Sequence, residues 1–586
     1  MKKKLALVLA TAMVLTLLNG CGSVNQSAAS STSVSSASLS QAEEEFRLVA
    51  DDGTAIDNVD RSAIGQNGVV SSARYEASKI GVEIMKAGGN AVDAAVATAF
   101  AVGVCEPFSN GIGGGGFMTL HLEDGSNIFI DFREYAPAAA NEDMFMNADG
   151  TVNEDAYTYG GLSSAIPGTV AGLLYILDQY GTMSREQVMR PAVELAQNGY
   201  VVNPLTKWAL DYGYSSIKKN PGLAAIYTND QLPLDMGDTI MNPNLAKALK
   251  LIIDKGSDGF YKGELAEALV KANNEAGGVM TMDDLSNYHI NVLKPVAGTY
   301  RGYQVISSPL PSSGGTHLIQ ILNILENFDI GSMTPYSAKH VQLLAEAEKI
   351  AYADRAAYMG DPNYVDVPVE GLISKEYAAK LAAKIDMNKP QEYEADDPWA
   401  FEGNDTQHLS VADKAGNMVA ITMSLNDYWG SRVLVDGYGF VLNNHMNDFD
   451  ATPGGPNSVA AGKKPLSSMS PTIVLNEDGS PFMVLGCPGG SSIFPQVAQV
   501  ISDVIDFDMD MQEAVDQPRI IDDLTNVLEY QDDLSADVVK QLEATGYQTE
   551  SIGNDEFGYV QAVLYGKDGM LHGAADSFAD GAAVGY

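Results

Sequence analysis

From residue 91 to residue 104 the chain reads AVDAAVATAFAVGV, a run of helix formers that is apolar on nearly every side. A helix with one apolar stripe can lie on a surface, but one apolar all round has to be covered all round, here against a sheet. Asn90 is placed to cap it, and Gly88-Gly89 ends a preceding helix predicted over 77–87. Before that, Gly68-Val69-Val70-Ser71-Ser72 is short and β-rich. A strand followed by a helix that must be buried commits the chain to a layered body with a large core. With 586 residues and 45% hydrophobic side chains there is enough chain for one large body or for two or three ordinary domains.

Further along, alternation predicts strands at 117–122 and 128–132. The region from about 165 to 400 reads as mostly helical, with helices over 169–179, 185–198 and 338–358. Beyond 406 short strands recur at 408–411, 418–423, 472–475, 483–485 and 560–564, with helices over 495–504 and near 511–517 and 535–545. Sheets with segregated helices indicate a layered α+β fold. Gly111 to Gly116 holds five glycines around Ile112, without the GK[ST] or GxGxxG pattern of a phosphate loop, so tight backbone packing near a site is expected there.

Charge and rare residues exclude several classes. The 35 Lys+Arg face 76 Asp+Glu, a formal net charge of -41, which is wrong for nucleic acid and for holding anionic lipid by charge. Three cysteines give neither a disulfide scaffold nor a CxxC pair, and Cys105 and Cys487 are expected as buried thiols. The seven histidines form no metal-ligand pattern, so no metal and no cofactor are expected.

The N-terminus reads as an address. Lys2, Lys3 and Lys4 precede an apolar run over residues 5–18, too short to span a bilayer comfortably, and then Leu18-Asn19-Gly20-Cys21. That sequence resembles a bacterial lipobox, so residues 1–20 are expected to be a signal peptide and Cys21 to carry lipid. The chain would then be exported and held on the outer face of the cytoplasmic membrane, or otherwise be extracellular. Residues 21–50, rich in Ser and Ala, read as a tether.

The chemistry concentrates after residue 405. Thr406 to Asp413 and Met418 to Asn426 form a hairpin pattern about Gly416-Asn417. Pairing of Asp413 with Met418 puts Thr406 opposite Leu425, and a loop one residue different moves it to Ser424 or Asn426. Two further pieces matter. Ser467-Ser468 sits in a Pro-bounded turn, and Gly486-Cys487-Pro488-Gly489-Gly490-Ser491 leads from a strand into a helix. Adjacent glycines let backbone N–H groups approach a reacting carbonyl, as an oxyanion hole requires.

Together these pieces resemble the γ-glutamyltransferase (γ-glutamyltranspeptidase, glutathione hydrolase) family of N-terminal-nucleophile hydrolases. The likeness runs from about Gly68 to Tyr586. It includes Gly88 to Ala95, Gly113 to Met118, Asp131-Phe132-Arg133-Glu134, Pro167 to Gly172, Leu442-Asn443-Asn444, Pro465 to Pro471 and Pro488 to Ser491. The resemblance implies a four-layer αββα sandwich and a precursor that cuts itself between Asp405 and Thr406, into a large fragment (51–405 after the tether) and a small one (406–586) that stay associated. A freed α-amino group can then act as base for the threonine hydroxyl. It further implies Ser424 as support for Thr406, and Gly489 and Gly490 as oxyanion donors. Arg133, Ser467 and Ser468 would bind the donor's α-carboxylate, and Asn426, Asp448 and His445 its α-ammonium. Donors would be γ-glutamyl amides such as glutathione; acceptors would be water, amino acids or peptides.

Three departures stand out. Asp405 replaces the commoner Gln before the cut, which bears on the rate of cleavage. His445 replaces the usual Gln or Glu. Its imidazole titrates near ~6.5 unperturbed, raised by a nearby Asp448 and lowered by burial, so donor KM is expected to rise in mild acid. The short run from Asp450 to Lys463 lacks a lid loop carried by some relatives, so an open cleft is expected. A poly-γ-glutamate depolymerase, a cephalosporin-type acylase and a non-catalytic lipid-anchored binding protein are the alternatives.

Overall fold

A computed structural model describes residues 48–49, 55–56, 61–393, 405–525, 527–553, 557–577 and 580–586; at 48, 49, 55, 56, 405 and 406 it describes backbone alone. Cys21 and the tether up to residue 47 therefore lie outside the described residues; Leu48–Val49, read as the tether's end, pairs instead with Ala55–Ile56 in a short antiparallel ladder, and Glu45–Tyr586 is one compact unit.

Fourteen strands build two seven-stranded sheets: β1 (Ala63–Gly65), β2 (Gly68–Ser72), β3 (Gly115–His121), β4 (Asn127–Phe132), β5 (Asn291–Leu293), β6 (Val296–Tyr300), β7 (Tyr303–Ser307), β8 (Asp405–Asp413), β9 (Met418–Asn426), β10 (Thr472–Leu475), β11 (Pro481–Gly486), β12 (Gln561–Tyr565), β13 (Leu571–Ala575) and β14 (Ala582–Gly585). The first sheet runs β5-β4-β3-β9-β8-β2-β14 and the second β6-β7-β10-β11-β12-β13-β1, every ladder antiparallel.

Side-chain alternation sorts each strand between two cores. Val69, Ala412, Met418, Ala420 and Ala583 of the first sheet meet Ile306, Ile473, Leu475, Val484, Val563 and Leu571 of the second. The intervening residues, such as Val70, Val411, Val419 and Ile421, face outward onto helices α1 (Tyr75–Lys86), α2 (Ala91–Cys105) and α3 (Thr169–Tyr180). On the far side Val474, Met483, Leu485 and Ala562 pack on α4 (Gly314–Leu325), α5 (Ala338–Tyr358) and α6 (Ile493–Asp506). The order is helix, sheet, sheet, helix, the expected αββα sandwich.

Fourteen of the fifteen residues of α2 are buried, as its composition demands, and Asn90 caps it in a reciprocal box with Asp93. Cys105 and Cys487 are free, buried thiols. The hairpin register differs by one from the base expectation. Ala412, not Asp413, pairs with Met418, because Asp413 Oδ1 instead accepts from the N–H groups of Ala415 and Asn417 and closes the turn. A bulge between Asp405 and Gln407 then sets Asp405 opposite Asn426. Residue 406 therefore falls in the bulge, across the ladder from Ser424 and Leu425, where the hairpin argument places it.

Candidate active site

The glycine run is packing, as expected. A Cβ at Gly113, Gly114 or Gly116 would lie 2.0–2.2 Å from the carbonyl oxygens of Val441, Ser424 and Thr422, and one at Gly115 would meet the Glu134 carboxylate at 2.6 Å. The run thus lets β3 lie directly against β9 and leaves room for a buried carboxylate beside it. Asn443 ties this region down, donating Nδ2–H to the carbonyls of Gly113 and Ala165 while its Oδ1 accepts from the His445 N–H.

Arg133 follows β4 and is fully buried. Its Nη2 donates to the Asp448 carboxylate and, at 3.0 Å, to the Leu466 carbonyl, next to Ser467; its Nη1 lies 3.7 Å from Glu134 Oε2. His445 Nδ1 is 2.8 Å from Glu134 Oε1, and both side chains are buried. Arg133, Glu134, His445 and Asp448 are therefore one buried constellation, in which Arg133 Nη1 and Glu134 Oε2 stand too far apart to bond to each other and have no other hydrogen-bond partner among the described residues. Polar atoms left so in a core point to a ligand that would satisfy them.

Burial, helped by the positive charge of Arg133, pushes the His445 imidazole down to about 4, against Glu134, which raises it. This corrects the expectation of sensitivity in mild acid: desolvation wins, and the opposing carboxylate is Glu134, not Asp448, which faces Arg133. His445 is neutral across the ordinary working range and has an acceptor nitrogen to offer. Asn426 joins the group from β9, its left-handed φ of 80° turning the chain so that its N–H meets Ser424 Oγ at 2.7 Å. Asn426 Nδ2 reaches the carbonyl of Asn444, beside His445. The short loop after Asp448 folds back on itself: Asn457 donates to the Asp448 carbonyl and accepts from the Leu466 N–H, bracing both Arg133 partners.

The serine pair is held from behind. Ser467 O accepts from Ser313 N and Oγ, both at 2.8 Å, and Ser468 Oγ accepts from Arg355 Nη2 at 2.8 Å. Gly489 and Gly490 adopt φ of 126° and 55°, conformations that favour glycine, and among the described residues neither N–H donates to a main-chain carbonyl. One residue on, the Ser491 carbonyl accepts from Tyr352 of α5. Gly486, where this loop leaves β11, abuts the His408 ring of β8, two residues from Thr406. The fold thus brings Arg133, His445 and Asp448 together, with Asn426 and the Ser467–Ser468 turn beside them, Ser424 bonded to Asn426, and the end of β11 against the strand that holds Thr406. At Asp405 and Thr406 the backbone is placed at that strand's start.

Sequence reasoning missed Glu134, Tyr352 and Arg355. Glu134 stood inside a quoted motif, but charged residues in a helix or after a strand carry no local mark of burial.

The chain is matched over residues 77–586 by the family model described as gamma-glutamyltranspeptidase. It is 43% identical over 526 residues to a glutathione hydrolase proenzyme of Escherichia coli, covering 87% of this chain and 90% of that one. It is 38% identical over 530 residues to the acylase ACY 1 proenzyme of a Pseudomonas strain, covering 89% and 94%. Among solved structures, a cephalosporin acylase from Bacillus halodurans superposes with a TM-score of 0.82 at 26% identity, covering 91% of this chain and 98% of that one.

Proposed function

The chain belongs to the γ-glutamyltranspeptidase family and is an enzyme of the N-terminal-nucleophile hydrolase type; from that premise we propose that it hydrolyses or transfers the γ-glutamyl group of glutathione and related amides through a threonine acyl-enzyme. The observation that carries this reading is the buried Arg133–Asp448 pair with neutral His445 beside it. A γ-glutamyl donor ends in an α-amino acid, a carboxylate and an ammonium on one carbon. Inserted between Arg133 and Asp448, it gives the guanidinium a carboxylate and the carboxylate an ammonium, so no buried charge is left uncompensated. Ser467 and Ser468 add hydroxyl donors to the carboxylate, and Asn426 and His445 add acceptors for the ammonium.

The relatives named proenzymes support a precursor that is cut. Here the cut is Asp405–Thr406, which turns an amide nitrogen into an amine able to take the threonine proton. Thr406 Oγ then attacks the γ-carbonyl, the oxyanion faces Gly489 and Gly490, and the C–N bond breaks as the leaving amine takes up the proton. Water or an acceptor amine, losing a proton to the Thr406 amine, next attacks the ester and releases glutamate or a new γ-glutamyl amide. The acylase relatives favour a second reading with another acyl donor, but an acyl chain without a zwitterionic end would leave Arg133 and Asp448 nothing to exchange for. We also propose export and lipidation at Cys21, tested by the loss of labelled fatty acid in Cys21→Ser.

Purified protein should resolve into two bands on a denaturing gel, the smaller beginning Thr-Gln-His-Leu-Ser, whereas Thr406→Ala stays whole. Splitting of Thr406→Ala at the same bond without added protease would refute the mechanism. Parallel assays on glutathione, glutamine and poly-γ-glutamate identify the donor.

A further inference from the structure

We propose that Arg355 is a positioning residue for the donor's α-carboxylate, acting through Ser468; the proposal rests on the γ-glutamyl reading of the site. Arg355 lies on α5 and is 1% exposed. Its Nη2 donates to Ser468 Oγ at 2.8 Å and its Nε to Ser313 Oγ at 2.9 Å. Ser313 in turn donates to the Ser467 carbonyl through both its N–H and its hydroxyl, and Ser312 Oγ donates to the Met469 carbonyl at 2.7 Å. One guanidinium therefore holds the hydroxyl of one serine directly and the main chain of the other through a single intermediary.

The direction of these bonds carries the argument. A guanidinium has donors and no acceptor, so Ser468 Oγ accepts from Arg355 and its own proton is turned away, toward another acceptor. That bond fixes the orientation of the Ser468 side chain, and when a donor is bound the hydroxyl so held meets its α-carboxylate. A hydroxyl that already accepts a charge-assisted bond is polarised into a stronger donor. A purely structural buried arginine looks different here: Arg519 donates to the carbonyls of Ala514, Val515 and Gln517, closing a local turn. Arg355 sends two diverging donors to side-chain hydroxyls beside the substrate pocket, which an ammonium on one stem cannot copy.

The experiment compares two chromogenic donors on processed enzyme, γ-glutamyl-p-nitroanilide and its analogue lacking the α-carboxylate, 4-aminobutanoyl-p-nitroanilide. Arg355→Gln should raise KM for the first by roughly tenfold, the scale of one charge-assisted hydrogen bond, with kcat nearly unchanged. On the analogue, kcat/KM should equal that of wild type. In a Ser468→Ala background the Arg355 substitution should add little, since the two act in series. Equal losses on both donors, a loss in kcat alone, or full additivity with Ser468→Ala would overturn the proposal. Should Arg355→Gln fail to fold by thermal melting, Arg355→Lys, which keeps the charge and loses the fork, is read by the same three criteria. A wild-type enzyme that splits but turns over no γ-glutamyl amide would instead overturn the reading of the pocket.

Discussion

At the scale of single residues, His445 gives the sharpest departure from a reading by composition. With its imidazole at about 4, it stays neutral from pH 8 down past 5.5. Wild type and His445→Gln should therefore show the same pH dependence of donor KM between about pH 5.5 and 8, and diverge only as pH falls toward 4, where the imidazolium would oppose the donor's ammonium. If the proposed cut frees the Thr406 amine, its titration is common to both variants, so the ratio isolates His445; a divergence centred near pH 6.5 would contradict the buried, neutral state. Arg133→Lys, which keeps the charge but lacks the fork, should rescue only in part the loss of ~2–5 kcal/mol in kcat/KM on glutathione, most of it in KM, expected of Arg133→Ala. Unchanged turnover by Arg133→Ala would remove Arg133 from the donor site. Thr406, Arg133 and the serine pair could be singled out in the sequence because each sits in a motif whose neighbours constrain it, and the structure puts Arg133 against the turn that carries the serines. Glu134 and Arg355 were not, because what defines them is burial against residues far away in the chain: His445 for one, Ser468 for the other.

At the scale of elements, α5 links the serine turn to the glycine loop. Tyr352 and Arg355 are three positions apart and so share a face, one reaching the Ser491 carbonyl, the other Ser468. Tyr352→Phe removes one hydrogen bond from the glycine loop while keeping its ring against Phe494. Its expected effect is a fall in kcat of roughly three- to tenfold with KM nearly constant, because the loop's donors matter most as the oxyanion forms. A rise in KM with constant kcat would show that the loop holds ground-state substrate instead. The bounds of α5 were readable from periodicity and composition, as were Thr472–Leu475 and Arg185–Asn198. Alternation alone stops short of the ends of β8 and β9, at 408–411 and 418–423; the strands run to Asp405 and Asn426, the span that the hairpin pattern about Gly416-Asn417 covers to within one residue.

At the scale of the whole molecule, burial pulls titrating groups in opposite directions. It raises Glu106 to about 8 and Asp503 and Asp522 to about 7, and lowers His317 and His408 to about 3 and His340 and His445 to about 4. The raised carboxyls keep protons in the folded state that the unfolded chain releases near pH 4, so their contribution to stability falls as pH rises through 7–8. The lowered imidazoles work the other way, costing stability as pH drops from about 6.5 toward their folded values. Between pH 7 and 8.5 the carboxyls act with no imidazole to oppose them, so Tm should fall across that interval, and fall less in Glu106→Gln; a flat wild-type profile would count against the buried neutral carboxyls. The strand order has a different kind of consequence. If the chain is cut before Thr406, pieces of both products alternate within both sheets, meeting at the ladders β3–β9, β8–β2, β2–β14, β7–β10 and β13–β1. Parting them means unzipping five ladders at once. Each small fragment would then keep for life the large fragment it was made with, and in a cell carrying one working and one dead copy of the gene no mixed enzyme would form, so the dead copy could not poison the working one.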